Sequence, residues 1–225
     1  MTSNYAMAAR LRGHQDGRPV PGRYPLALGD RGGLLAVPST AGTSPFAVLV
    51  MLHGAHGNAD GMIAAVSPAI GQRSPLIMAP ESRGRTWDGL FGGAADLRTI
   101  DAVVQKIADR FPLDPTRIAI GGFSDGASFA LTVGLANPGL FTHVLAFSPG
   151  FFVPPQPPIP RGQCVFVSHG RGDLVLPFER TGRAVVDQLA ALGIETAFHP
   201  FDGGHEMPPA LIAVAVDMWL EGDPA

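Results

Sequence analysis

Arg117-Ile118-Ala119-Ile120-Gly121-Gly122-Phe123-Ser124-Asp125-Gly126 is the stretch of this chain that decides its fold. Arg117 to Gly121 reads as a buried strand. The small-residue stretch Ala127 to Ala136 that follows permits a helix. Between them lies Gly-x-Ser-x-Gly, the pattern of a nucleophile elbow when it joins a strand to a helix. On so sharp a turn a serine takes a strained backbone, and its hydroxyl projects above the sheet. Glycines two residues to either side let strand and helix approach closely. The N–H of the next residue, Asp125, then points to where an oxyanion would form if Ser124 attacked a carbonyl. The pattern alone is common, so its context and partners decide its meaning.

Outward from the elbow, strands and helices alternate. Phe46 to His53 is a continuous apolar run and reads as a buried parallel strand. Short strands are expected at Leu34–Val37 and Leu76–Ala79, and a helix from Asp60 to Ile70. Leu97, Ile100, Val103, Val104, Ile107 and Phe111 recur at helical spacing, with Asp96 as the expected N-cap and Pro112 as the stop. Later strands are read at His143–Phe147, Cys164–Ser168 and Ile194–His199, and helices at Glu179–Leu192 and Pro208–Leu220. This order implies an α/β fold: one mostly parallel sheet with helices on both faces. Residues 1–32 are polar, rich in Gly and Pro and aperiodic, and read as an irregular arm; 33–225 read as a single domain.

Composition bounds the function. The chain has 225 residues, 46% hydrophobic and 16% charged, enough for a sizeable core. A net charge of −3 and the absence of any basic run exclude a nucleic-acid surface from the expectations. The one cysteine, Cys164, permits no internal disulfide and reads as a buried small residue in a strand. No stretch approaches the roughly 18 apolar residues of a membrane span, so no membrane insertion is expected. No apolar segment follows Arg10 and Arg12 as a leader would require, which points to a cytoplasmic location. Nothing in the sequence sets an oligomeric state.

A serine hydroxyl needs a general base, and the base needs an orienting carboxylate. With an elbow serine the acid follows in the chain and the histidine comes last, each from a loop at the carboxyl end of a strand. His169-Gly170-Arg171-Gly172-Asp173 follows one strand and Asp202-Gly203-Gly204-His205 another. Asp173 is therefore the candidate acid and His205 the candidate base. Asp202 stands too close to His205 to come from a separate strand end, and Glu179 suits a helix start better. His143 and His199 fall within strands, His14 lies in the arm, and His169 reads as a brace of the acid loop. The first half of an oxyanion hole should follow an early strand. His53-Gly54-Ala55-His56-Gly57 does so, giving the N–H groups of Ala55 and Asp125 as the two donors. Each such donor lowers a barrier by roughly 2.7–4 kcal/mol. His53 would hold this loop by hydrogen bonds.

With these residues in place the chain resembles the phospholipase/carboxylesterase branch of the α/β-hydrolase superfamily, which also holds the acyl-protein thioesterases. The resemblance rests on Leu52-His53-Gly54, the elbow at Ser124, His169-Gly170 with Asp173 and Pro177, and Gly204-His205. It implies an α/β-hydrolase fold and hydrolysis of small-molecule carboxylic esters, with thioesters as an extension, needing neither metal nor organic cofactor. Asp125 stands where the thioesterases usually carry Gln, and Ala55-His56 replaces their leucine-containing loop. The alternatives are a binding protein on the same fold without activity, and a triad enzyme acting on amides or C–C bonds.

Substrate-contacting candidates follow from the loops. Pro154, Pro155, Pro157, Pro158 and Pro160 rule out a helical lid between Gly150 and Gly162, so no lid domain is expected. Phe151 at the base of that loop, Trp87 in the loop before the Asp96 helix, and His56 are the candidate walls of an open cleft.

Overall fold

Val48, Val50 and Leu52 turn to one face of strand β3 (Phe46–Leu52), while Leu49 and Met51 turn to the other. Both sets are buried, as a central strand covered on both sides requires. The computed structural model describes residues 5–11, 20–27, 32–39, 45–71, 73–156 and 162–222. Its other strands are β1 (Gly22–Pro25), β2 (Gly33–Val37), β4 (Leu76–Pro80), β5 (Leu113–Phe123), β6 (His143–Phe147), β7 (Cys164–Gly170) and β8 (Thr196–Phe201). The helices are α1 (Ala59–Ile70), α2 (Ala95–Arg110), α3 (Asp125–Ala136), α4 (Gly182–Ala191) and α5 (Pro209–Glu221).

The sheet order is β1-β2-β4-β3-β5-β6-β7-β8. β1 and β2 run antiparallel to their neighbours, and β4 to β8 and β3 are mutually parallel. Helices α1 and α5 pack on the face bearing Leu49, Met51 and Phe166. Helices α2, α3 and α4 pack on the face bearing Val50, Ile120 and Val167. This is the α/β-hydrolase architecture, and among the described residues no lid helix interrupts it. Part of the proline-rich loop, 157–161, lies outside the described residues.

Several local expectations shift. β5 begins at Leu113, bulges around Pro115 and resumes against Val48 at Ile118. Proline cannot donate to the ladder, so a bulge is where it fits. A short 3-10 turn, Phe178–Arg180, precedes α4, and Thr181 breaks the helical path between them. Cys164 opens β7 and is only half-buried. Asp96 is not an N-cap. The Asp88 carboxylate instead accepts the N–H groups of Ala95 (2.9 Å) and Asp96 (3.0 Å), the first donors of α2. Asp96 turns back and accepts from Arg83 (2.9 Å) and Asp88 (2.7 Å). Burial pushes its carboxyl pKa up against those two N–H groups.

The largest correction concerns residues 1–32: where they are described they include a strand, β1, and pack onto the domain rather than standing apart as an arm. β1 extends the sheet beside β2. Tyr5, Met7 and Ala9 enter the core. Asn137, at the end of α3, ties this segment down: its Oδ1 accepts Met7 N–H at 2.7 Å, and its Nδ2 donates to Tyr5 O at 2.8 Å and Val133 O at 2.7 Å. Asp101 accepts the N–H groups of Ala8 and Ala9. The backbone of this segment is satisfied by side chains, which hydrophobic periodicity cannot reveal.

Two outcomes follow. Asn137→Ala orphans the buried Met7 N–H and Tyr5 carbonyl and should lower unfolding free energy by about 2–3 kcal/mol, read from urea denaturation. The second concerns His143 and His169, both buried, where burial lowers the imidazole pKa. Below about pH 6.5 the unfolded chain takes up protons that these two folded rings refuse. Stability is therefore full above that pH and falls below it, by up to about 1.4 kcal/mol per pH unit for each ring. Urea titrations at pH 7.5 and 5.5 check this; equal values at the two would contradict it.

Candidate active site

Ser124 sits between β5 and α3 with φ 55° and ψ −118°, a left-handed conformation that a serine adopts only under constraint. The constraint is visible. Its N–H donates to Phe147 O on β6 (2.9 Å), and its carbonyl accepts Ser128 N–H (3.0 Å). A side chain at Gly122 would strike the backbone of Gly126, and one at Gly126 would strike the carbonyls of Leu52 and His53. The elbow glycines are there because β3, β5 and α3 cross with no room for a Cβ.

The structure brings Ser124, His205 and Asp173 together. His205 Nε2 lies 2.9 Å from Ser124 Oγ, and His205 Nδ1 lies 2.7 Å from Asp173 Oδ2. A neutral imidazole with its proton on Nδ1 donates to Asp173 and accepts the serine proton at Nε2. The His205 ring leans on Phe123, centroids 4.8 Å apart. Asp173 is buried, and its Oδ1 accepts the N–H groups of Val175 (2.9 Å) and Leu176 (2.8 Å). Burial opposes its charge. The Leu176 N–H, His205 and the Val175 N–H outweigh burial, and its pKa lies below the ordinary carboxyl value. Asp202 and Glu179, the rival acids, are exposed and outside this group. His143 opens β6 at the opposite end of the sheet, His199 stacks on Phe166, and His14 lies outside the described residues.

The loop after β3 passes directly against the elbow: a Cβ on Gly54 would stand 3.3 Å from Ser124 Cβ. Ala55 follows it at the cleft surface, and Asp125 opens α3, where a first-turn N–H has no helical acceptor. Among the described residues neither the Ala55 nor the Asp125 N–H is given to a protein acceptor. His53 fixes this loop. Its Nε2 accepts Ser82 N–H at 3.2 Å, so its proton sits on Nδ1 and donates to Gly54 O at 2.8 Å. His56 takes φ 60° and donates its N–H to Arg85 O at 2.7 Å.

The cleft over Ser124 has a volume of about 660 Å³. His56 lines it. Trp87 does not. It is fully buried, donates Nε1–H to His53 O at 2.8 Å, and stacks on Phe129, whose other neighbour is Tyr5. It braces His53, and with it the loop after β3, from behind. Phe151 also misses the cleft and stands half in solvent, while Phe152 takes the core position beside it. The apolar wall is made instead by Met62 and Ala65 of α1, with Phe123, Val175 and Met207. The signal for these was adjacency: α1 follows the loop after β3 directly, and Val175 and Met207 stand two residues after Asp173 and His205.

Three solved structures illustrate the likeness of fold. Esterase PE8 shares 22% identity, covering 85% of this chain and 98% of its own, with a TM-score of 0.67. A carboxylesterase from Mesorhizobium loti shares 22% over 87% and 97%, with a TM-score of 0.64. A phospholipase/carboxylesterase from Dyadobacter fermentans shares 21% over 88% and 98%, also at 0.64. Among curated proteins no sequence matches significantly. The family profile described as Phospholipase/Carboxylesterase matches residues 94–217 and so spans all three triad positions. Because that match takes in more than half of the chain, from the helix before the elbow to the one after His205, the protein belongs to the phospholipase/carboxylesterase family.

Proposed function

We propose that this serine ester hydrolase is a carboxylesterase for short and medium acyl esters, acting through Ser124, His205 and Asp173. The observation that carries the reading is the continuous hydrogen-bonded line from Ser124 Oγ through both His205 nitrogens to Asp173 Oδ2, at 2.9 and 2.7 Å. His205 Nε2 takes the proton as Oγ attacks the ester carbonyl. Asp173, held ionised, stabilises the imidazolium. The N–H groups of Ala55 and Asp125 receive the oxyanion. The tetrahedral intermediate collapses, Nε2 returns the proton to the leaving alcohol, and water repeats the sequence on the acyl-enzyme. The open cleft of about 660 Å³, walled by Met62, Ala65 and Met207, supports the chain-length preference.

Ser124→Ala should cut kcat on 4-nitrophenyl butyrate by at least about a thousandfold with an unchanged melting temperature; wild-type turnover in that variant refutes the assignment. Asp173→Asn should lower kcat by about 10⁴-fold, since the wrong tautomer of His205 is then favoured. Across 4-nitrophenyl esters, rates should peak between acetyl and octanoyl and show no jump at the micelle threshold. A palmitoyl optimum would overturn the chain-length reading, and a panel of matched thioesters and amides separates the neighbouring chemistries.

A further inference from the structure

His169 is a buried titratable group beside the triad that the mechanism above leaves unused. It has no solvent-exposed surface and lies four residues before Asp173. Its Nε2 is 2.8 Å from Leu176 O, a pure acceptor, so the ring proton sits on Nε2. The same Nε2 lies 3.2 Å from Asp173 Oδ2, the oxygen that also takes the His205 proton. Nδ1 has no hydrogen-bond partner, and a Cβ on Gly182 would collide with it. The ring is thus closed off on one side by the first residue of α4 and on the other by the triad carboxylate. Phe178 meets it edge-on, centroids 6.0 Å apart, and the Thr181 hydroxyl is 3.4 Å from Nε2. The charged and titratable groups facing it are Asp173 and, beyond it, His205.

We propose that His169 is a positioning residue of the triad, acting on Asp173 at both oxygens. Through the Leu176 carbonyl it holds the residue whose own N–H, on the preceding peptide, binds Oδ1. Through its polarised Nε2–H it flanks Oδ2 and shares that oxygen with His205. The first contact stops the carboxylate from rotating. The second draws off part of the charge that would otherwise act on the His205 imidazolium alone. A neutral ring does this without competing as a cation, and burial, which lowers the pKa of His169, keeps it neutral.

The proposal rests on the esterase reading, and its test separates the two. Full-length His169→Leu and His169→Gln are compared with wild type on 4-nitrophenyl butyrate and in the rate of labelling by a fluorophosphonate probe. Leu, which removes the donor, should lower kcat and the labelling rate about tenfold with little change in KM. It should also move the acid limb of kcat/KM to higher pH, by about half a unit. Gln, whose amide N–H comes near the Nε2 position, should recover most of both. Equal losses in Leu and Gln with an unmoved limb, or a wild-type profile in Leu, would overturn the proposal. ¹⁵N NMR of the wild-type ring gives a readout that survives a misfolded variant: a neutral Nε2–H tautomer at pH 7 supports the proposal, and an Nδ1–H tautomer or a cation overturns it. A wild type inert to the probe would reject the esterase reading, and the NMR result would still decide His169.

Discussion

The crossing of β3, β5 and α3 at the elbow is the constraint on which the rest depends. Leu52 and His53 carbonyls press so closely on Gly126 that no side chain fits there, and the turn has nowhere to relax. That pressure holds Ser124 at φ 55°, a conformation that costs of order 1–3 kcal/mol and persists only where its surroundings enforce it. The surroundings are the sheet itself. Phe147 on β6 takes the Ser124 N–H, and both faces of the sheet are filled by apolar side chains. Burial of the core thus supplies the energy that keeps the nucleophile strained and raised.

Around this point the protein builds supports in layers. Tyr5 lies edge-on to Phe129, Phe129 stacks on Trp87, and Trp87 donates to the carbonyl of His53 at the head of the loop after β3. His53 then fixes Gly54 through its ring. On the far side, Leu176 and Val175 hold Asp173, and Asp173 holds His205. Each reacting group is immobilised by its neighbours. Such fixed dipoles stabilise developing charge without reorganising during the reaction.

The parallel strands explain why these supports converge. β3, β5, β7 and β8 all end at one edge of the sheet, so the loops after them share one surface. A triad assembled from residues 124, 173 and 205 needs no special folding event beyond stacking the strands in register. Leu174 and Val175 stand exposed on the acid loop, since the turn that aims Asp173 inward leaves its tip outside.

The α/β class, the elbow and the order serine, acid, base were legible in the chain because they are local or directional. Strand and helix periods are short-range, a Gly-x-Ser-x-Gly turn spans five residues, and strand-end loops can be found from strand ends. Trp87 and Phe151 were misplaced because a large aromatic in a loop can face in or out, and only the packing partner decides; Phe129 and His53 took Trp87 inward. The N-terminal segment was misread because Asn137, Asp101 and Gln105 satisfy its backbone from distant helices. Asp88 displaced Asp96 as the cap of α2 for a similar reason, being brought there by a turn and not by helical spacing. The sequence by itself determined which residues could react and in what order they arrive. Tertiary structure alone decided their distances, the tautomers of His53, His169 and His205 and the shape of the cleft, because these depend on contacts between residues far apart in the chain.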